Sequence, residues 1–297
     1  MKEDKHLLAV VGRGEAPKLI VIGGMHGNEI SGVEAMQKVL SELKSHEEKL
    51  KGTVYFVKGN LRALEKGERF VDIDLNRIWH ENNLAKNQAY DYREFRELYH
   101  LIESICQGNY ENCALLDLHT FSADSGIFCI PAENEKSEKL AKRFGAPFIE
   151  KLASALPETA LNFYGKKGML SLVFEGGRHG TAEATENLER AVWLIMFYLN
   201  MIDKKDFPFV DEMQAHILRI SEQYPHHLEM IYRHKLEDYH NYKMYEGFRN
   251  FMKIYKNQPL ALQNGEEVYS PAEGYMLMPL YQKKGSDGFF IVKEIKS

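Results

Sequence analysis

Apolar, β-branched runs alternate with helical stretches as far as about residue 203. This predicts an α/β fold: a mostly parallel, mixed sheet flanked by helices, followed by a smaller β-rich C-terminal unit. Two further observations support that class. The runs are short and end in glycines or polar turns, as strands buried on both faces do. Beyond residues 204–208 (KKDFP) the chain becomes rich in Tyr, Phe, Gly and Pro, and short strand-like segments follow one another between turns.

In chain order, residues 18–22 (KLIVI) read as a core strand feeding paired glycines, and residues 30–50 have helical periodicity. Residues 53–57 (TVYFV) are a second strand, residues 89–105 a helix with one polar face, and residues 114–118 (ALLDL) a third strand. Residues 126–130 (GIFCI) make a fourth strand, residues 137–144 a helix, and residues 169–174 (MLSLVF) a further core strand before a long helix over 182–201. One more helix is expected over 210–223. Short strands are then expected at 248–255, 267–270, 275–278 and 288–292. The boundary falls at 206/207.

The chain has 297 residues, 44% hydrophobic and 27% charged, with a net charge of −5. That is the composition of a globular protein with no basic field, so neither nucleic acid nor an anionic membrane is expected as a partner. The N-terminal stretch has no long apolar run and reads as no signal peptide, which makes a cytoplasmic location the expectation. Residues 191–202, the most apolar later run, are too short for a membrane span. Cys106, Cys113 and Cys129 lack metal-ligand spacing and read as buried, reduced thiols. A homo-oligomer is left open.

The chemistry concentrates at strand ends. In residues 23–29 (GGMHGNE), His26 and Glu29 follow a strand directly, three residues apart, so one turn of chain can aim both at one cation. His119 ends the strand at residues 115–119 (LLDLH) and is a third candidate ligand; the alternative is a core histidine bonded to backbone. Two His and one carboxylate form the protein half of a catalytic zinc site. Asp117 is a structural or supporting candidate only. Residues 69–77 (RFVDIDLNR) concentrate polar groups: Asn76 and Arg77 suit a substrate carboxylate, and Arg69 suits an oxyanion, unless the segment is a solvated loop. Glu175 ends an apolar strand before two glycines, where a carboxylate can act as general base or be a buried ion-pair partner.

Taken together, these motifs resemble the succinylglutamate desuccinylase/aspartoacylase family, a branch of the zinc carboxypeptidase-like fold. The matching stretches are residues 23–29, 69–77, 117–120 (DLHT) and 175–177 (EGG), with 270–274, 277–279 and 287–290 similar to the β domain of bacterial members. The resemblance implies a zinc-hydrolase catalytic domain over 1–206 and a β-rich domain over 207–297 that caps the cleft. It implies one zinc ion per chain on His26, Glu29 and His119, with Glu175 as general base and Arg69 polarising the acyl carbonyl. Asn76 and Arg77 would hold the α-carboxylate of a small N-acyl amino acid, with Tyr281 as a further substrate contact. The expected reaction is hydrolysis of a linear amide. Alternatives are a carboxypeptidase acting on short peptides, or a non-catalytic binding protein on the same scaffold.

One departure stands out. Aspartoacylases carry a Tyr and an Arg here that contact an acidic side chain, whereas residues 162–168 (NFYGKKG) have no Arg. Tyr164 would be the tyrosine, and Lys166 or Lys167 a poorer substitute for the arginine, so preference for N-acetylaspartate is in doubt.

Overall fold

The computed structural model describes residues 4–295. The first half contains β1 (Leu7–Gly12), β2 (Lys18–Gly23), α1 (Ser31–Lys44), β3 (Thr53–Lys58), α2 (Leu61–Lys66), α3 (Tyr90–Cys106), β4 (Cys113–Phe121), β5 (Phe128–Pro131) and α4 (Glu135–Phe144). It continues through β6 (Phe148–Glu150), α5 (Leu152–Ala155), α6 (Ala160–Lys166), β7 (Leu170–Arg178) and α7 (Ala182–Tyr198). The rest comprises α8 (Val210–Ser221), β8 (His227–Lys235), β9 (Tyr242–Met244), β10 (Lys253–Ile254), β11 (Pro259–Gln263), β12 (Glu266–Tyr269), β13 (Gly274–Leu277) and β14 (Asp287–Glu294).

Eleven strands form one sheet in the order β1-β3-β2-β4-β7-β5-β6-β8-β14-β13-β10. Its centre, β3-β2-β4-β7, is parallel, and β6 runs parallel to both β5 and β8. The other neighbours are antiparallel, so the sheet is more evenly mixed than the sequence predicts. The reason is that the strands after residue 207 join it edge-on: β8 pairs with β6 across Phe148–His227, Ile149–Leu228 and Glu150–Glu229. Strands β12, β11 and β9 make a separate three-stranded sheet.

Helices cover both faces. Along β2, Leu19 and Val21 join a core cluster with α1 and α7, while Ile20 and Ile22 join another with α3. This is the period-two alternation of a strand buried on both sides. On β4, Ala114, Leu116 and Leu118 face the α1 side, which puts Asp117 and His119 together on the α3 side. Cys106, Cys113 and Cys129 are free and buried. Among the described residues no helix is long and apolar enough to cross a membrane.

The expected strand over 248–255 shrinks to the two residues of β10. Residues 160–166, given no element from sequence, form α6, which Thr159 caps by accepting the Asn162 N–H.

Candidate functional site

Strand β2 ends one residue before Gly24 and pairs in parallel with β4, Gly23 against Leu118, so the 24–29 turn lies beside His119. The turn packs tightly against α2: a Cβ on Gly27 would sit 2.0 Å from the Ala63 carbonyl carbon, a distance no side chain tolerates. A backbone bond from Glu29 N–H to the His26 carbonyl, 3.1 Å, folds the two side chains onto each other.

The outcome is a compact donor set. His26 Nδ1 is 2.8 Å from one Glu29 oxygen and His119 Nδ1 is 3.0 Å from the other. Ligand atoms of all three residues lie within 4.8 Å of one another, and all three side chains are buried. The far nitrogens face carboxylates: His26 Nε2 is 3.2 Å from Asp74 Oδ1, and His119 Nε2 is 3.0 Å from Asp117 Oδ2. The second contact is close but off-axis, so Asp117 forms no well-aligned hydrogen bond there. A carboxylate at each Nε2 favours the proton on that nitrogen and turns the Nδ1 lone pair toward Glu29. Lone pairs on Nδ1 and on a carboxylate repel unless a cation or proton lies between them. Two imidazoles and a carboxylate so disposed fit one divalent ion of the zinc type.

The electrostatics follow. Burial pushes the Glu29 carboxyl up, but His26 and His119 outweigh it and hold the group well below its usual range. Burial likewise opposes ionisation of Asp74, and His26 with Arg69 overcomes it. At His119 burial favours the neutral ring, yet Asp117 and Glu29 hold its pKa well above the usual value.

Glu175 sits on β7 directly beside His119 in the parallel register with β4. It is buried and one of its oxygens has no protein partner. Burial pushes its carboxyl up to about 8, with His119 and Arg69 pulling down and Glu29 and Asp117 pushing up. Arg69 lines the same cleft. Its Nε and Nη2 donate to Asp74 at 3.3 and 3.2 Å, and Nη1 reaches Glu29 at 3.4 Å.

Asn76 and Arg77 also line the cleft. Asn76 Oδ1 accepts from the Ala160 N–H at 3.1 Å, which leaves its amide NH2 as the free donor. Arg77 Nη2 donates to Asp287 Oδ2 at 2.9 Å, and Arg233 Nε donates to the other oxygen at 2.6 Å. Two guanidiniums thus share one carboxylate at the cleft wall, and Asp74 also stabilises the Arg77 charge.

The structure does not bring Tyr164, Lys167 or Tyr281 to the cleft. Tyr164 is fully buried on the α3 side of the sheet, its ring 5.7 Å from Trp79. The helical form of 160–166 explains this, because it turns that side chain into the core. Lys167 bonds Tyr110 and pairs with Glu81 and Glu103 away from the site. The Tyr281 hydroxyl accepts from the Phe248 N–H at 2.9 Å and donates to the Tyr245 carbonyl at 2.8 Å, tying C-terminal turns together. The histidines of the tail have separate partners: His227 with Glu150, His234 with Gln263, His240 with Asp238.

Sequence reasoning gave Asp74 and Asp287 no role. Asp74 stands inside the 69–77 motif, and a carboxylate between Arg69 and Arg77 was a usable signal. Asp287 is 210 residues from Arg77 and had none. The cleft is open to solvent at its mouth and lined mainly by apolar groups around a few convergent polar ones, the character of a small-molecule site. Residues Met278, Leu280, Gln282 and Phe290 of the C-terminal part line it.

Comparison with known proteins agrees with this geometry. A probable aspartoacylase from Nostoc sp. is 23% identical over 67% of this chain and 69% of its own length. Several other curated relatives are matched over less than half of their length. A succinylglutamate desuccinylase/aspartoacylase structure from Rhodobacter sphaeroides superposes with a TM-score of 0.67 at 16% identity, over 97% of this chain and 88% of that one. Murine aminoacylase 3 superposes with a TM-score of 0.62 at 18% identity, over 95% and 97%. The family model for the succinylglutamate desuccinylase/aspartoacylase catalytic domain matches residues 15–191, more than half of the chain, and the chain belongs to that family.

Proposed function

We propose that this chain is a zinc-dependent hydrolase that cleaves the amide bond of small N-acyl amino acids. One observation carries the reading: the two Nδ1 atoms and the Glu29 carboxylate converge, with carboxylates behind both rings and Glu175 beside them.

His26, Glu29 and His119 would hold a zinc ion, which when bound would supply Lewis acidity for a carbonyl and for water. The protein groups do the rest. Glu175 takes the proton from the attacking water and delivers it to the amine nitrogen as the C–N bond breaks. Burial raises that carboxyl, and the charge of a bound cation beside it would draw it back toward neutrality, where it suits both halves of the transfer. Arg69 faces the acyl oxygen as charge builds there. Arg77 and the Asn76 amide grip the α-carboxylate and set the scissile bond over the base. The products are a carboxylic acid and a free amino acid. Residues 207–297 act as the cap, and their cleft-lining turns restrict entry to small substrates.

The test has two parts. Elemental analysis of the purified protein measures zinc per chain. Free-amine release is then followed on a panel of N-acyl amino acids with short peptides as control. One zinc per chain and release from the acyl amino acids alone supports the reading; peptide cleavage would replace it with a carboxypeptidase.

A further inference from the structure

The cleft has two unlike halves. One holds the donor set, Glu175 and the arginines. The other is apolar: Phe121, Ile130 and Val173 from the sheet, and Leu156 and Leu161 from the α5–α6 segment. The strand residues are placed by register. Val173 lies two residues before Glu175 on β7 and shares its face, while Phe121 follows His119 across a register irregularity and lines the same cleft. Ile130 pairs with Val173 across β5 and β7. This wall therefore begins where the reacting centre ends.

The wall also adjoins the carboxylate grip. Ala160 N–H is the donor that orients Asn76, and Arg233, which shares Asp287 with Arg77, bonds the Ala155 carbonyl. Segment 155–161 is thus tied to both gripping residues. In an N-acyl amino acid the side chain and the α-carboxylate leave the same carbon. With the carboxylate on Arg77, the side chain would have Leu156, Leu161 and Val173 as lining of the same cleft.

No cation awaits an acidic side chain there. Among the described residues, the arginines lining the cleft are Arg69 and Arg77. Arg69 is engaged by Asp74 and Glu29, and Arg77 by Asp287 with Asp74 acting on it as well, so neither is spare for a second carboxylate. Lys167 faces elsewhere. A second carboxylate would be desolvated against hydrocarbon with no partner, which is strongly unfavourable.

Resting on the deacylase reading above, we infer that the preferred substrates are N-acyl amino acids with apolar side chains, of the leucine, methionine or phenylalanine kind, rather than acidic ones.

The experiment uses the zinc-loaded full chain and holds the acyl group constant as acetyl. The kcat/KM values for N-acetyl-leucine, -methionine and -phenylalanine are compared with those for N-acetyl-aspartate and -glutamate. The expected preference for the apolar set is on the order of 100-fold or more. Leu156→Arg, at a half-buried position, should cut that preference by about tenfold by offering a guanidinium. Dissociation constants of the same ligands for Glu175→Gln give a readout free of turnover and should rank them in the same order. Faster turnover of the acidic substrates would overturn the inference and leave the deacylase reading standing. An unchanged preference in Leu156→Arg would remove the wall from the role. Neither binding nor hydrolysis of any member would overturn the deacylase reading and this inference together.

Discussion

Replacing Asp287 by Ala tests whether the C-terminal part builds the substrate grip. Its oxygens accept from Arg233 at 2.6 Å and Arg77 at 2.9 Å, and the three side chains are no more than 21% exposed. Burial alone would raise the Asp287 carboxyl; Arg77 and Arg233 outweigh it and lower it. Removing one member of a buried ionic cluster costs about 3–5 kcal/mol, because the remaining charges lose their partner. Partial exposure of both arginines argues for the lower figure, about 3 kcal/mol. In a chain of this size that is a fall of roughly 6 °C in Tm. Asp287→Asn should lose less, since one hydrogen bond survives. Arg77 would also lose its orientation, so KM should rise about tenfold with kcat nearly kept, the signature of lost ground-state binding. Thermal unfolding by circular dichroism and steady-state kinetics on the metal-saturated protein measure both effects. The sign with pH is fixed as well. A carboxyl depressed in the folded state stabilises above the unfolded value of about 3.9, and that contribution fades as pH falls through the folded value. The gap between wild type and Asp287→Ala must therefore narrow in acid. A Tm change under about one degree with an unaltered KM would refute the shared-carboxylate account.

Other expectations follow from the same geometry. Glu175→Gln should keep its zinc by elemental analysis and lose about 10²–10⁴-fold in kcat. In the metal-free protein the Glu175 carboxyl, raised to about 8, favours folding least when ionised. Wild-type stability should thus fall relative to Glu175→Gln as pH rises from the ordinary carboxylate value toward 8, read by urea midpoints across pH. Asp117→Asn should weaken zinc binding about 10–100-fold in a chelator competition, because the His119 ring loses the carboxylate behind it. Gly27→Ala, with its Cβ driven 2.0 Å from the Ala63 backbone, should displace the 24–29 turn and lose zinc affinity even where the protein still folds, measured by the same competition.

Much of the site was legible because it lies at the ends of strongly patterned strands. Residues 18–22 announce β2 by their β-branched run, and the turn that follows must sit at the sheet edge. His119 and Glu175 end two further apolar runs, and their adjacency is simply the register of neighbouring parallel strands. Residues 160–166 escaped because they were read for their side-chain chemistry and assigned no element. The Thr159 cap three residues before Asn162 was the sign of a helix, and recognising it would have turned Tyr164 inward. The β6–β8 junction escaped because β6 is only three residues long, too short for any periodicity. Asp287 escaped because nothing local marks a residue whose partners, Arg77 and Arg233, come from remote parts of the chain.

The unbroken sheet has a mechanical corollary. The strands carrying His119 and Glu175 and the strand carrying Asp287 belong to one hydrogen-bonded fabric, joined through β5, β6 and β8. Swinging one half away from the other, as clamshell enzymes do, would shear the three-residue β6–β8 seam and expose its backbone to solvent. Access to the cleft is then a matter of its lining turns, among them Leu280, Gln282, Gly285 and Ser286, rather than of separating the two halves. Recognition in such a molecule rests on walls already in place rather than on commitment at closing.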